Sequence, residues 1–206
     1  PIHGLSKHGN EIAVLYAEGE ISESGKNGIT SDNLVPQILK LAENDDIAGM
    51  VLRVNSPGGS AFASEQIWEA LEQFKAAGKL LYVSMGDYAA SGGYYISCGA
   101  DRIYASPVTL TGSIGIFGLI PNFHGLLTDK LGITQSTVST NKSGSFPNLT
   151  KPLTSFELAS MQNMVNRGYE TFVNRCAEGR DMNVDSIKAI AEGRVWDGTT
   201  ALGIGL

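Results

Sequence analysis

Apolar segments of strand length alternate with helix-length segments along this chain, and the alternation restricts the fold more than any other feature. Strands are predicted at "EIAVLYAEGEI", "IAGMVLRVN" and "KLLYVSMG", and amphipathic helices at residues 31–44 and 64–78, the second capped by Ser64. Such alternation predicts βαβ units, hence an α/β fold with a mostly parallel sheet and flanking helices. The continuous apolar run at residues 47–55 is typical of a strand covered on both faces.

Length and charge indicate an ordinary globular domain. The chain has 206 residues, of which 42% are hydrophobic, and this predicts a single domain over residues 1–206 with a polar lead-in at residues 1–10. Its formal charge of -6 and its lack of a Lys/Arg-rich run argue against a nucleic-acid partner. Cys98 and Cys176 are too few for a disulfide framework or a metal site. Because the chain stops within the apolar "TTALGIGL", we expect it to be a piece of a longer protein.

Two glycine-rich turns follow predicted strands and could form a site together. "NSPGG" places Gly58 and Gly59 after one strand, and "AASGG" places Ser91 and Gly92 after the next, at the start of a helix. Active sites of open α/β sheets gather at the carboxyl ends of parallel strands. The first turn is either a plain connection or a source of N–H groups for a negative oxygen. Ser91 is either a helix N-cap or a nucleophile, and the residues alone leave both interpretations open.

A nucleophilic serine requires a base, and several residues compete for that role. No G-x-S-x-G segment is present, which disfavours the α/β-hydrolase triad. Histidines are few, and they occur in the polar N-terminal stretch and in a predicted short helix: His3, His8 and His124. A lysine can serve where burial lowers its pKa enough to leave it neutral. The candidate lysines in the right half of the chain are Lys130, Lys142 and Lys151.

Three segments together resemble the signal peptide peptidase A (protease IV) family, a branch of the ClpP/crotonase superfamily. They are "LRVNSPGGSAFASEQIWEAL", "VSMGDYAASGGYYISCGADRIYASPVTLTGSIGIFG" and "GRVWDGTTALGIGL". The resemblance implies a ClpP/crotonase-like fold and a serine endopeptidase with a Ser/Lys dyad. It places Ser91 at the nucleophile and Gly58, Gly59 and Gly92 in the oxyanion hole. It further implies cleaved signal peptides as substrates, no metal or organic cofactor, self-association into a ring, and a bacterial inner-membrane location facing the periplasm.

The chain departs from the family pattern at the base. Short members carry the lysine in a G-x-Y/F-K-type segment after the strand predicted here at "ITQSTVST". This chain has "NKSGSFPNLTK" instead, with Gly144 at the lysine position and Lys142 two residues early. Long members have tandem domains, and the C-terminal half, which this chain resembles more, receives its lysine from the N-terminal half. We therefore expect an N-terminal domain of the same protein to supply the lysine, so that the isolated piece is inactive or nearly so; Lys142 is the alternative.

The substrate is expected to lie extended and to pair with an exposed strand, for which "TLTGSIGIFG" at residues 109–118 is the predicted edge. Two other functions are compatible with the same turns. A crotonase-type acyl-CoA enzyme uses this kind of oxyanion hole without a serine nucleophile. A non-catalytic module would keep the fold only to build an assembly.

Overall fold

The computed structural model describes residues 11–206, and the chain divides into two compact units. The first joins the stretch that ends at Gly115 with Tyr169–Leu206, and the second is Ile116–Gly168. The predicted lead-in at residues 1–10 lies outside the described residues. That the whole chain forms a single domain stays a prediction.

Strands of the described residues form one six-stranded and one two-stranded sheet. In chain order they are β1 (Glu11–Glu18), β2 (Ile21–Ser22), β3 (Ile29–Thr30), β4 (Ile47–Ser56), β5 (Leu80–Ala90), β6 (Arg102–Tyr104), β7 (Leu110–Gly112) and β8 (Val195–Asp197). The large sheet has the order β1-β4-β5-β7-β8, with β6 paired to β5. Its pairs are parallel except β7 with β8. The predicted mostly parallel sheet is confirmed.

Both helices predicted from periodicity are present, and one of them has a shifted start. They are α1 (Ser31–Ala42), α2 (Ala61–Ala76), α3 (Gly92–Tyr95), α4 (Ser155–Arg180), α5 (Val184–Ile190) and α6 (Gly198–Ile204). The prediction that Ser64 caps α2 is wrong, because Ser60 is the cap and its Oγ accepts a hydrogen bond from the Ala63 N–H. Ser64 is buried inside the helix and donates to the Ser60 carbonyl at 2.8 Å. Helix α2 therefore begins directly after the glycine-rich turn.

Within the first unit, helices cover only one face of the large sheet. Along β4, Leu52 and Val54 are fully buried, whereas Val51 and Arg53 between them are half-exposed. On β1 the side chain of Tyr16, which is paired with Arg53, is 69% exposed. The prediction that residues 47–55 form a strand covered on both faces is therefore wrong. The run is continuously apolar because the open face also carries apolar residues, and an apolar run does not reveal what covers it.

The second unit contains the short helical turn predicted around His124, which includes a π-helical turn at Leu126–Lys130. The strand predicted at residues 133–140 is wrong, because this segment has no regular secondary structure. Val138, the central apolar residue of "ITQSTVST", is 99% exposed. Ile133, the other apolar residue of the segment, is 48% exposed. The segment thus buries no apolar face, and a strand needs such burial for its stability.

Candidate active site at the Ser91 turn

Ser91 occupies the sharp turn between β5 and α3. Its backbone has φ 53° and ψ −120°, a conformation that is uncommon for a residue other than glycine and is held only where surrounding structure enforces it. Its N–H donates to the Gly112 carbonyl at 2.9 Å, and its own carbonyl accepts from the Tyr95 N–H at 2.8 Å. The side chain makes no capping hydrogen bond, although Ser91 is the N-cap residue of α3. The residue as a whole is partly exposed to solvent.

The Gly58–Gly59 turn lies directly against the Ser91 turn. Gly58 has φ +101°, and a Cβ there would stand 2.7 Å from the Gly92 nitrogen and 2.8 Å from the Ser91 Cβ. A Cβ on Gly92 would in turn stand 3.2 Å from the Gly58 Cα. Only glycine permits this approach, because any side chain would force the two turns apart. The structure thus brings together Gly58, Ser91 and Gly92, which the sequence placed in two separate segments.

Backbone hydrogen bonds show which N–H groups at these turns are free. The Gly58 N–H donates to the buried Ser56 Oγ at 3.2 Å, and Ile21 bonds the turn through its N–H to the Gly58 carbonyl and through its carbonyl to the Ser60 N–H. Within the described residues, neither the Gly59 N–H nor the Gly92 N–H has a hydrogen-bond acceptor. Backbone donors are normally paired, and unpaired ones in adjoining turns are the kind of group that binds a negative oxygen.

Ser56 and Ile21 determine which amide of the turn remains free. Sequence reasoning missed both of these neighbours. A Cβ on Gly59, whose φ is +151°, would stand 2.1 Å from the Ile21 carbonyl oxygen. A Cβ on Gly93 would stand 2.6 Å from the Ser56 carbonyl oxygen. The residue pattern S-x-G-G was the available signal for Ser56, whereas Ile21 comes from a distant segment that only the fold brings to the turn.

No histidine or lysine of the described residues hydrogen-bonds the Ser91 hydroxyl. His3 and His8 lie outside the described residues. His124 belongs to the second unit, where its Nδ1 lies 3.1 Å from the Thr150 carbonyl oxygen. The three lysines proposed from sequence also belong to the second unit: Lys130, Lys142 and Lys151. The source of the base therefore stays a prediction.

The edge predicted for substrate pairing is wrong in its strand part. β7, which begins that segment, lies between β5 and β8 and so has a partner on each side. The prediction failed because β8 is only three residues long and its pairing with β7 depends on contacts across the fold. The backbone after β7 is also paired on the side of β8. The Ser113 N–H donates to the Arg194 carbonyl, and the Gly193 N–H donates to the Ile114 carbonyl.

The described part of the chain contains no cluster of three or more His, Cys, Asp or Glu residues that could hold a metal ion. Cys98 and Cys176 are buried free thiols. Among the described helices, none combines the length and the hydrophobicity that crossing a membrane requires.

Comparison with known proteins gives a consistent picture. The sequence profile described as Clp protease matches residues 7–109. Protease 4 of Salmonella typhi is 42% identical over 200 residues, which cover 96% of this chain and 32% of that protein. The putative signal peptide peptidase SppA of Enterococcus faecium is 36% identical over 205 residues, which cover 95% of this chain and 58% of that protein. The chain thus spans about a third of the one relative and just over half of the other.

A solved structure supports the fold, and a second profile shows the family. A point mutant of ClpP1 from Listeria monocytogenes has a TM-score of 0.63 at 15% identity, covering 93% of this chain and 86% of that chain. This likeness confirms the predicted ClpP-like fold. The profile of Peptidase family S49 matches residues 73–206, which is well over half of the chain. The chain therefore belongs to Peptidase family S49.

Proposed function

We propose that the protein is a serine peptidase in which Ser91 is the nucleophile. The observation that carries this proposal is the Ser91 hydroxyl itself, which is uncapped, partly exposed and held at a positive φ beside two unpaired N–H groups. Ser91 Oγ attacks the carbonyl carbon of a peptide bond, and a base takes its proton. The same base, now protonated, gives the proton to the leaving amine, and water hydrolyses the acyl-enzyme.

The oxyanion of the tetrahedral intermediate is bound by the N–H groups of Gly59 and Gly92. Both are backbone donors fixed before reaction, and preorganised donors of this kind are worth on the order of 10²–10³ in rate each. Gly58 has a different part in this proposal. Its own N–H is bonded to Ser56, so it contributes the close approach of the two turns.

The base in this proposal is a neutral lysine from a part of the protein outside this chain. Two observations support it. No lysine of the described residues hydrogen-bonds Ser91, and the chain spans only 32% of Protease 4, which leaves room for a second domain. Such a lysine must be desolvated to stay neutral near pH 7. Lys142 is the alternative within this chain.

The substrates are proposed to be cleaved signal peptides at the bacterial inner membrane, with the catalytic part facing the periplasm. Support comes from the relative named putative signal peptide peptidase SppA and from the segments shared with that family. The ClpP-like fold supports the accompanying proposal that copies associate into a ring. A crotonase-type acyl-CoA enzyme or a non-catalytic assembly module would need no reactive hydroxyl at residue 91.

The experiment that tests the function compares serine variants in the full-length protein with a synthetic signal peptide as substrate. We expect Ser91→Ala to abolish cleavage. Ser84→Ala is the matched control, because Ser84 lies on the same strand and its hydroxyl accepts from Arg53 on the sheet face. The control should cleave at the wild-type rate. Unchanged cleavage by Ser91→Ala would exclude Ser91 as the nucleophile.

A further inference from the structure

We propose that Tyr95, Glu65 and Arg175 form a clamp that positions Ser91 and the Gly92 N–H relative to the Gly59 N–H. We call these three residues the Tyr95 clamp. The inference rests on the proposed function, because it assigns positioning residues to the same site. All three are positioning residues in this proposal, and none of them contacts the substrate.

The clamp is a single carboxylate shared by two donors from different helices. The Tyr95 hydroxyl of α3 donates to Glu65 Oε2, and Arg175 Nη2 of α4 donates to Glu65 Oε1 at 2.8 Å. Both carboxylate oxygens of this α2 residue are thus used. Charge-assisted hydrogen bonds of this kind are shorter and stronger than neutral ones, and they constrain direction as well as distance.

Aromatic contacts hold the clamp on both sides. The guanidinium carbon of Arg175 stands 3.8 Å from the centre of the Trp68 ring, and the ring centres of Tyr95 and Phe172 are 4.6 Å apart. Stacking of a guanidinium on a ring restricts its rotation, so the Trp68 ring orients Arg175 independently of its hydrogen bond to Glu65. The carboxylate therefore has two rigid partners rather than two mobile ones.

Helix α3 needs such external support because it is too short to hold its own position. It comprises only Gly92–Tyr95, and a helix of one turn is unstable on its own. The Tyr95 N–H donates to the Ser91 carbonyl and closes that turn. A displacement of the Tyr95 side chain therefore also displaces Ser91, because only one turn of backbone separates the two residues.

The other end of the clamp is connected to the second oxyanion donor. Glu65 lies in the second turn of α2, and this helix starts at Ala61, two residues after Gly59. One hydrogen bond from Tyr95 to Glu65 thus joins the element that carries the Gly92 N–H to the element that follows the Gly59 N–H. An oxyanion requires a fixed spacing between its two donors, and displacements of about 1 Å at such sites can cost about 10²-fold in rate.

The protonation state of Tyr95 suits a permanent donor. Burial raises the pKa of the Tyr95 hydroxyl well above its usual range, and its hydrogen bond to Glu65 raises the pKa further. The hydroxyl therefore stays protonated at any pH at which a peptidase of this type would operate.

The test measures kcat, KM and melting temperature of full-length variants on the synthetic signal peptide. Tyr95→Phe removes the donor and keeps the ring against Phe172. We expect kcat to fall about 10-fold or more while KM stays within about twofold. Glu65→Gln keeps one acceptor oxygen and should retain more activity than Glu65→Ala. Lys188→Met is the matched control, because it breaks the Lys188–Glu170 ion pair, which joins α5 to α4 without contacting α3.

Two results would overturn the clamp. One is a wild-type kcat in both Tyr95→Phe and Glu65→Ala. The other is a loss of kcat in proportion to melting temperature across all variants, including Lys188→Met, since that pattern indicates packing alone. Failure of the proposed function is recognised separately, because Ser91→Ala would then cleave like the wild-type protein.

Discussion

At the scale of single residues, the site depends on backbone positions where glycine is required. The sequence could predict that two glycine-rich turns end adjacent parallel strands, because both motifs follow apolar runs. It could not predict which amides remain free. That depends on the Ser56 hydroxyl, which takes the Gly58 N–H, and on Ile21, which pairs with the turn from a distant segment. Free donors are a property of tertiary hydrogen bonding, and no local pattern encodes it.

Gly58→Ala should reduce cleavage by on the order of 10²–10³, because the new methyl group pushes the Gly92 amide out of the oxyanion hole. The Cβ would stand 2.7 Å from the Gly92 nitrogen. Gly78→Ala is the control, since Gly78 also has a positive φ, at +80°, but its Cβ would meet no atom within 4 Å. It should cost about 1 kcal/mol of stability and leave cleavage unchanged. Wild-type cleavage by Gly58→Ala would contradict the assignment.

Tyr94→Phe should stabilise the protein by about 1 kcal/mol, because it removes a buried hydroxyl that is not hydrogen-bonded. The Tyr94 side chain is fully buried, and its hydroxyl has no partner among the described residues. Burial raises the pKa of this hydroxyl, and the nearby Cys176 and Cys98 raise it further. Urea denaturation measures the change in the free energy of unfolding. A loss of more than about 1 kcal/mol would mean that the hydroxyl has a partner.

At the scale of secondary-structure elements, predictability follows length and periodicity. β4 and α2 were predicted because each carries a complete pattern within its own residues. β8 and α6 were not, because three and seven residues carry too little pattern and β8 exists only through its pairing with β7. The false strand at residues 133–140 shows the opposite error, in which local pattern exists but the fold buries nothing against it.

The N-cap of α6 should make stability depend on pH on the acid side. The Asp197 carboxylate accepts from the Thr200 N–H at 2.8 Å and from the Thr200 hydroxyl at 2.9 Å, and these bonds lower the pKa of Asp197. A carboxyl group whose pKa is lower in the folded state stabilises the folded protein at pH values above its unfolded-state pKa of about 4. This contribution is lost as pH falls through the folded-state pKa.

Asp197→Ala should therefore destabilise the protein at neutral pH and much less in strong acid. Urea denaturation of the wild-type and variant proteins at about pH 7 and about pH 2.5 gives the two differences in the free energy of unfolding. A difference that stays constant or grows on acidification would show that the carboxylate charge does not stabilise the cap.

At the scale of the whole molecule, the chain supplies the fold, the proposed nucleophile and the proposed oxyanion donors, and only the base is proposed to come from elsewhere. The resemblance predicted the family and the ClpP-like fold, and both are confirmed. It could not determine the base, because the lysine position of the short members is Gly144 here and the segment around it is irregular. A residue contributed by another domain leaves no pattern in this chain.

We expect the full-length Lys142→Met variant to cleave the signal peptide at the wild-type rate. We expect instead that replacing one lysine outside this chain by Met abolishes cleavage, because that lysine takes the Ser91 proton. Steady-state cleavage assays on a set of single Lys→Met variants locate it. Loss of cleavage in Lys142→Met at an unchanged melting temperature would place the base within this chain.

The most direct measurement of the central claim is the site of covalent modification by a fluorophosphonate, which reacts with nucleophilic serines. The full-length protein is labelled, digested with trypsin and analysed by fragmentation mass spectrometry, and residues 80–102 form one tryptic peptide. We predict a single adduct on Ser91, with Ser84 and Ser97 of the same peptide unmodified and no adduct in Ser91→Ala. An adduct on another residue, or an unmodified Ser91 in protein that cleaves peptides, would contradict the account.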